Sequence, residues 1–210
     1  MNIAVVTANY LLYVILPLWL LVGIADWYCH RATRIESTSG AKESLLHLAM
    51  MAEAGLAVLL GLFLEINALL IALMILCWLA HEATAHWDLR YAVIWRDVRP
   101  SEQHVHNYLG AIPFMALSFV IVLHWPQFLS LFGLGAEPPD FSLRLKQPPL
   151  PIGYVVAMLL AIALLELLPY FEELARGLIA NRGRLAPQRS AERLGCPDRP
   201  STSQSEVLDR

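Results

Sequence analysis

The segment Leu45 to Ala80, LLHLAMMAEAGLAVLLGLFLEINALLIALMILCWLA, decides the fold of this chain. It is 36 residues long, and only His47, Glu53, Glu65 and Asn67 interrupt its apolar character. As one helix it would extend more than about 50 Å, well beyond the roughly 30 Å hydrocarbon core of a bilayer. Glu65-Ile66-Asn67 supplies a polar place to turn. The segment therefore reads as two membrane crossings, about 44–64 and 67–86.

Three further runs flank it. Ile3 to Ala25 carries no charge over 23 residues. It lacks the basic start and small-residue cleavage site of a signal peptide, so it reads as a crossing. Tyr108 to Phe132 is a fourth, with a kink expected at Pro113. Ile152 to Phe171 is a fifth, introduced by the breakers Gln147-Pro148-Pro149-Leu150-Pro151. The expected architecture is all-α: a polytopic integral membrane protein with about five transmembrane helices in one bundle. Residues 1–186 form that domain, and the Pro-, Ser-, Arg- and Glu-rich segment 187–210 is expected to be a disordered cytoplasmic tail.

Composition agrees. The chain of 210 residues is 57% hydrophobic and 16% charged, against about 45–50% apolar and about 25% charged in ordinary soluble domains. A formal net charge of −3 gives no basic footprint for nucleic acid. Three cysteines, Cys29, Cys77 and Cys196, do not make a disulfide scaffold.

Five crossings sort the charges. Thirteen of the fifteen lysines and arginines fall on one side, which the positive-inside rule makes cytoplasmic. This places the N-terminus out and the C-terminus in, in a cytoplasmic (inner) membrane. Trp27, Trp87, Trp95, Tyr108 and Tyr170 then read as an aromatic belt at the inner interface.

The same sorting gathers the histidines. Of seven, only His124 lies near the outer face. His30, His47, His81, His86, His104 and His106 come to the cytoplasmic side from four helices. Four of them follow an acid by four residues: Asp26/His30, Glu43/His47, Glu82/His86 and Glu102/His106. Residues four apart share a helical face, and fewer than one such pair is expected by chance at this acid content. A carboxylate and an imidazole on one face can ligate one metal centre, or the carboxylate can orient the ring for ligation. Helical bundles with dinuclear iron draw Glu and His from several helices in this manner. The same pairs, taken singly, also suit helix ends in water.

The expected metal ligands are His30, His47, His81, His86, His104, His106, Glu43 and Glu102. Glu82 is a candidate catalytic group, and so is Glu53, which lies about 13 Å inside its crossing, where a carboxylate is costly and normally functional or paired. Glu166 is also deep, and roles for Asp26, Asp88 and Glu166 stay open. If Glu82/His86 and Glu102/His106 face inward, helical geometry displaces His81 and His104. Residues 96–107 are a plausible place for irregular backbone, with Pro100-Ser101 as a good helix start.

His81-Glu82-Ala83-Thr84-Ala85-His86 has one residue too many for the H-E-x-x-H zinc helix. Glu172-Glu173-Leu174-Ala175-Arg176 is likewise off by one from the motif of intramembrane CAAX-type proteases. The His81-x4-His86 pair at a cytoplasmic helix end resembles the first histidine box of the integral-membrane di-iron hydroxylases and desaturases. The H-x-x-H-H boxes of that superfamily are absent. The resemblance implies a di-iron oxidoreductase that activates oxygen against a lipid-like or quinone-like substrate at the cytoplasmic leaflet, served by an electron-donor protein. Two other readings stay open. One is a haem b electron-transfer protein using His47 with His81 or His106. The other is a non-catalytic membrane module for interaction or signalling.

Overall fold

The computed structural model describes residues 2–187; Cys196 and nearly all of the expected tail lie outside them. Among the described residues the regular structure is helical, with an irregular segment over 131–151 and one isolated bridge between Leu64 and Leu145. Five helices are long and apolar enough to cross a membrane: α1 (Ile3–Thr33), α2 (Ala41–Phe63), α3 (Ala68–Trp95), α4 (Pro100–Leu123) and α5 (Ile152–Ala180). A single turn, Ile35–Thr38, joins α1 to α2, and a short helix, Trp125–Ser130, follows α4.

The turn inside the long apolar segment falls at residues 64–67. Asn67 makes it: its side chain accepts from the Leu70 amide at 3.1 Å and donates to the Ser142 carbonyl at 2.7 Å. The first bond caps α3, and the second ties the turn to the segment between α4 and α5. That segment also reaches Phe63 and Glu65 through the backbone of Lys146 and Arg144.

Most helices outrun their apolar runs. α1 continues past Ala25 to Thr33, α3 past 86 to Trp95 and α5 past Phe171 to Ala180. Hydropathy marks where a helix leaves lipid, whereas hydrogen bonding and caps decide where it stops. α4 starts at Pro100, with Pro at the first helical position, so the irregular backbone expected over 96–107 is confined to the residues before it. It passes through Pro113 unbroken and ends at Leu123. The expected run to Phe132 is thus two helices, because Pro126 has no N–H to continue α4.

α2 and α3 pack as an antiparallel pair, α5 lies against α2, and α4 against α1. Ile15, Trp19, Leu20, Ala54, Leu62, Ile112 and Met158 form the apolar core. Large apolar side chains such as Leu21, Leu76, Val122, Leu160 and Leu168 are exposed around the outside, as they are on a lipid-facing surface. Gly177 sets the α5–α2 approach, since a Cβ there would press on the Ala41 backbone. In α5 the π-helical stretch Ala163–Leu167 buries Glu166 against Gly23 of α1. Such one-turn bulges frequently mark functional sites.

One end of the bundle is different in kind. Where α1, α3 and α5 finish and α2 and α4 begin, the buried residues include a concentration of acids and histidines.

Candidate metal centre

Each long helix contributes to this end. α1 supplies Asp26 and His30, α2 Glu43 and His47, α3 Asp88, α4 Glu102 and His106, and α5 Tyr170 and Glu173. His30, Glu43, Glu102 and Glu173 are fully buried, Asp26, His47, Asp88 and Tyr170 nearly so, and His106 is partly open. Carboxylates at this burial are rare unless paired.

Glu173 organises the centre. Its two oxygens face two imidazoles, lying 3.1 Å from His30 Nδ1 and 3.2 Å from His47 Nδ1. The two rings stack in parallel, 4.2 Å between centroids and 7° between planes. An ionised carboxylate only accepts hydrogen bonds, so both Nδ1 atoms donate to it. The Nε2 atoms are thereby directed away from Glu173. That of His47 lies 3.3 Å from Asp88 Oδ2. That of His30 lies 3.4 Å from Asp26 Oδ1 and 3.6 Å from Glu102 Oε1. His106 Nε2 approaches the same Asp26 oxygen at 2.9 Å. The second Asp26 oxygen accepts from the Tyr170 hydroxyl at 3.2 Å.

Arg96 closes the cluster from just beyond α3, forming hydrogen-bonded ion pairs with both Glu43 and Glu102. Burial works to pull its guanidinium down. The hydrogen bonds to Glu102 and Glu43 outweigh that and hold it above its ordinary value.

The charges do not balance. Asp26, Glu43, Asp88, Glu102 and Glu173 face one guanidinium, an excess of four negative charges with neutral imidazoles. Uncompensated charge in such a place costs several kcal/mol per ion. Three imidazoliums would reduce the excess, and two divalent cations would cancel it.

Local geometry bears on which. His30 Nε2 and Asp88 Oδ1 are buried and make no hydrogen bond. Asp26 Oδ1 sits 2.9 Å from one imidazole nitrogen and 3.4 Å from another. Two ligand atoms on one first-row metal, each about 2.0–2.2 Å from it, are roughly 3–3.5 Å apart. Two sets have their ligand atoms within 4.8 Å of one another: Asp26, His30 and His106, and His30, Glu43 and His47. They share His30, and the imidazole–carboxylate donor set suits iron, zinc or manganese.

Three of the four acid–histidine pairs therefore meet at one centre. Glu82/His86 does not: His86 is exposed and Glu82 half-buried. The buried face of α3 is instead set by His81 and Asp88, seven residues and two turns apart; Glu82 and His86 line the cavity beside the cluster without joining it. His81 is buried but bonds through Nδ1 to the Met50 carbonyl at 3.2 Å. His104 is exposed against Tyr108, the displacement helical geometry gives it once His106 faces in. Glu53 accepts from Thr84 Oγ1 at 2.8 Å, an α2–α3 tie outside the cluster.

Arg96, Tyr170 and Glu173 are the members that sequence reasoning missed, and Asp88, whose role the sequence left open, joins them. Tyr170, expected in an aromatic belt, is buried on Asp26. Its signal was periodicity: Glu166, Tyr170 and Glu173 lie four and three residues apart on one face of α5.

A cavity of about 610 Å³ opens onto Asp26, His47, Asp88 and His106, with Trp19 and Trp78 also in its lining. Comparison of the chain with protein-family models, with curated proteins and with solved structures finds no match.

Proposed function

We propose that this chain is a membrane-embedded, metal-dependent oxidoreductase whose centre holds two transition-metal ions, iron by preference, and which acts on a lipid-like or quinone-like substrate. The observation that carries the reading is the buried excess of carboxylate around His30, His47 and His106, with Asp26 Oδ1 2.9 Å from His106 Nε2 and 3.4 Å from His30 Nε2.

In this reading Asp26, His30 and His106 serve one ion and Glu43 and His47 the other, with His30 between them and Asp88 and Glu102 alongside. Glu173 fixes the orientation of both stacked rings, as acceptors on the far imidazole nitrogen do in metal sites. Arg96 holds Glu43 and Glu102 in place. Tyr170 donates to the Asp26 oxygen that does not face the imidazoles. When bound, a redox-active metal pair supplies electron transfer and oxygen chemistry that no side chain here provides. The adjoining cavity, lined by residues of the cluster and by Trp19, Trp78 and Phe114, offers the substrate a place to bind. The concentration of basic residues at this end supports its assignment to the cytoplasmic side, where an electron-donor protein would dock.

The haem reading gains nothing from the geometry. His47 faces carboxylates on both ring nitrogens, and His81 is bonded to a carbonyl. A docking module would present its acid–histidine pairs, whereas three of the four pairs lie largely inside.

Elemental analysis and an absorption spectrum of detergent-purified protein test the proposal. It expects about two transition-metal ions per chain and no Soret band. A metal-free preparation that cannot be reloaded with iron, or a haem spectrum, would overturn it.

A further inference from the structure

A second chamber, about 240 Å³, lies deeper in the bundle. Trp19, Trp78 and His81 line both it and the cavity at the cluster, so the two adjoin at these side chains. From there the chamber runs along α1 from Trp19 back to Ala8, and along α4 from Ile112 to His124. At about 1.5 Å per residue each stretch spans roughly 17 Å. Its walls are leucine, isoleucine, valine and alanine for nearly all of that length, and no acid is among them.

The far end is marked by Lys146 and His124. Among the described residues Lys146 has no carboxylate within ion-pair distance; its Nζ donates to the Gly61 carbonyl at 2.5 Å. The acids nearby are already taken. Arg144 pairs with both Glu65 and Asp140, and Glu137 accepts from Gln127. Burial lowers the Lys146 ammonium from its ordinary value, which an anion beside it would reverse. An apolar channel closed by one unpaired cation matches one ligand chemistry: a long chain ending in an anionic head.

We propose that this chamber binds a free long-chain carboxylate, head on Lys146, with its chain running inward past Ile112 and Trp78 so that the chain end enters the cavity at the carboxylate–imidazole cluster. Binding itself is independent of the metal. The idea that the chain end is the part acted on rests on the oxidoreductase reading.

Palmitate carrying a terminal diazirine, added to the full chain in phosphatidylcholine nanodiscs, tests it. Light-driven labelling is expected on the Trp19 and Met74–His81 peptides, with competition by palmitate and weak competition by hexadecanol. Lys146→Met should reduce labelling about tenfold, the scale of a charge-assisted hydrogen bond, and Lys146→Arg should restore it. Ala116→Trp, which fills the chamber midway, should abolish labelling without touching Lys146. Labelling confined to lipid-facing residues such as Leu76, labelling at the Gly61–Ile66 end, or equal labelling of Lys146→Met would overturn the proposal. Metal content of the same samples separates the two readings. Correct labelling in a protein that takes up no metal removes the oxidoreductase reading alone, and full metal content with misplaced labelling removes this one alone.

Discussion

Replacing Glu173 by glutamine changes one atom of a buried carboxylate that holds two imidazoles. In the native protein its oxygens accept from His30 Nδ1 at 3.1 Å and from His47 Nδ1 at 3.2 Å. Glutamine keeps one acceptor and turns the other position into an N–H donor. One Nδ1–H then meets a donor, and its ring must move its proton to Nε2 or rotate away. Either change removes a lone pair directed at the cluster. Loss of an orienting partner of this kind weakens metal affinity by about 10–100-fold, or about 1.4–2.7 kcal/mol. Two rings share this one carboxylate, so Glu173→Ala should cost more than Glu173→Gln. The neighbouring Glu172, which pairs with Arg31 and Arg176 at the surface, is the control. Chelator competition against iron-loaded protein measures the affinities. Glu172→Gln is expected to leave affinity near wild type. A Glu173→Gln protein that folds and holds metal as tightly as wild type would refute the role assigned to Glu173.

Three other outcomes follow from the contacts described. Arg96→Met leaves Glu43 and Glu102 buried without their cation and should destabilise the metal-free protein by about 3–5 kcal/mol, read by thermal melting in detergent; combining it with Glu43→Gln should return part of the loss. Gly23→Ala places a methyl group on the Glu166 carboxylate, so overpacking of α1 on α5 should cost about 1–3 kcal/mol in the same assay. The third concerns pH. Asp140 is held below its ordinary value of 3.8 by hydrogen bonds from Ser142 and by Arg144. The folded state therefore favours the ionised form, and the contribution is present above 3.8 and lost as pH falls through the lowered value. Asp140→Asn should melt below wild type at neutral pH, and the gap should close as pH falls below 3.8.

The number of long helices was legible because each is written as a long apolar run, and Glu65-Ile66-Asn67 reads as a turn in a segment too long for one crossing. The helix ends were not legible. Past Ala25 or Phe171 the residues become polar, yet they stay helical because they pack on one another in the cluster. Within that cluster, the four-residue rule found Asp26/His30, Glu43/His47 and Glu102/His106, each of which sits on a face already turned inward. It failed on Glu82/His86, because α3 presents His81 and Asp88. Spacing within a helix says which residues share a face but not which face meets the neighbours. Arg96 and Glu173 were hidden for a different reason: each looks like ordinary interfacial charge until helices distant in sequence bring partners to it. Arg96 meets Glu43 across 53 residues, and Glu173 meets His30 across 143.

The most direct test of the central claim is an anomalous difference map, recorded at the iron edge from crystals of the intact, iron-loaded protein. The account predicts two peaks inside the ring formed by Asp26, His30, Glu43, His47, Asp88, Glu102 and His106, with none at His86 or His104. A map without density there, or with iron held at the His81–His86 stretch instead, would contradict it.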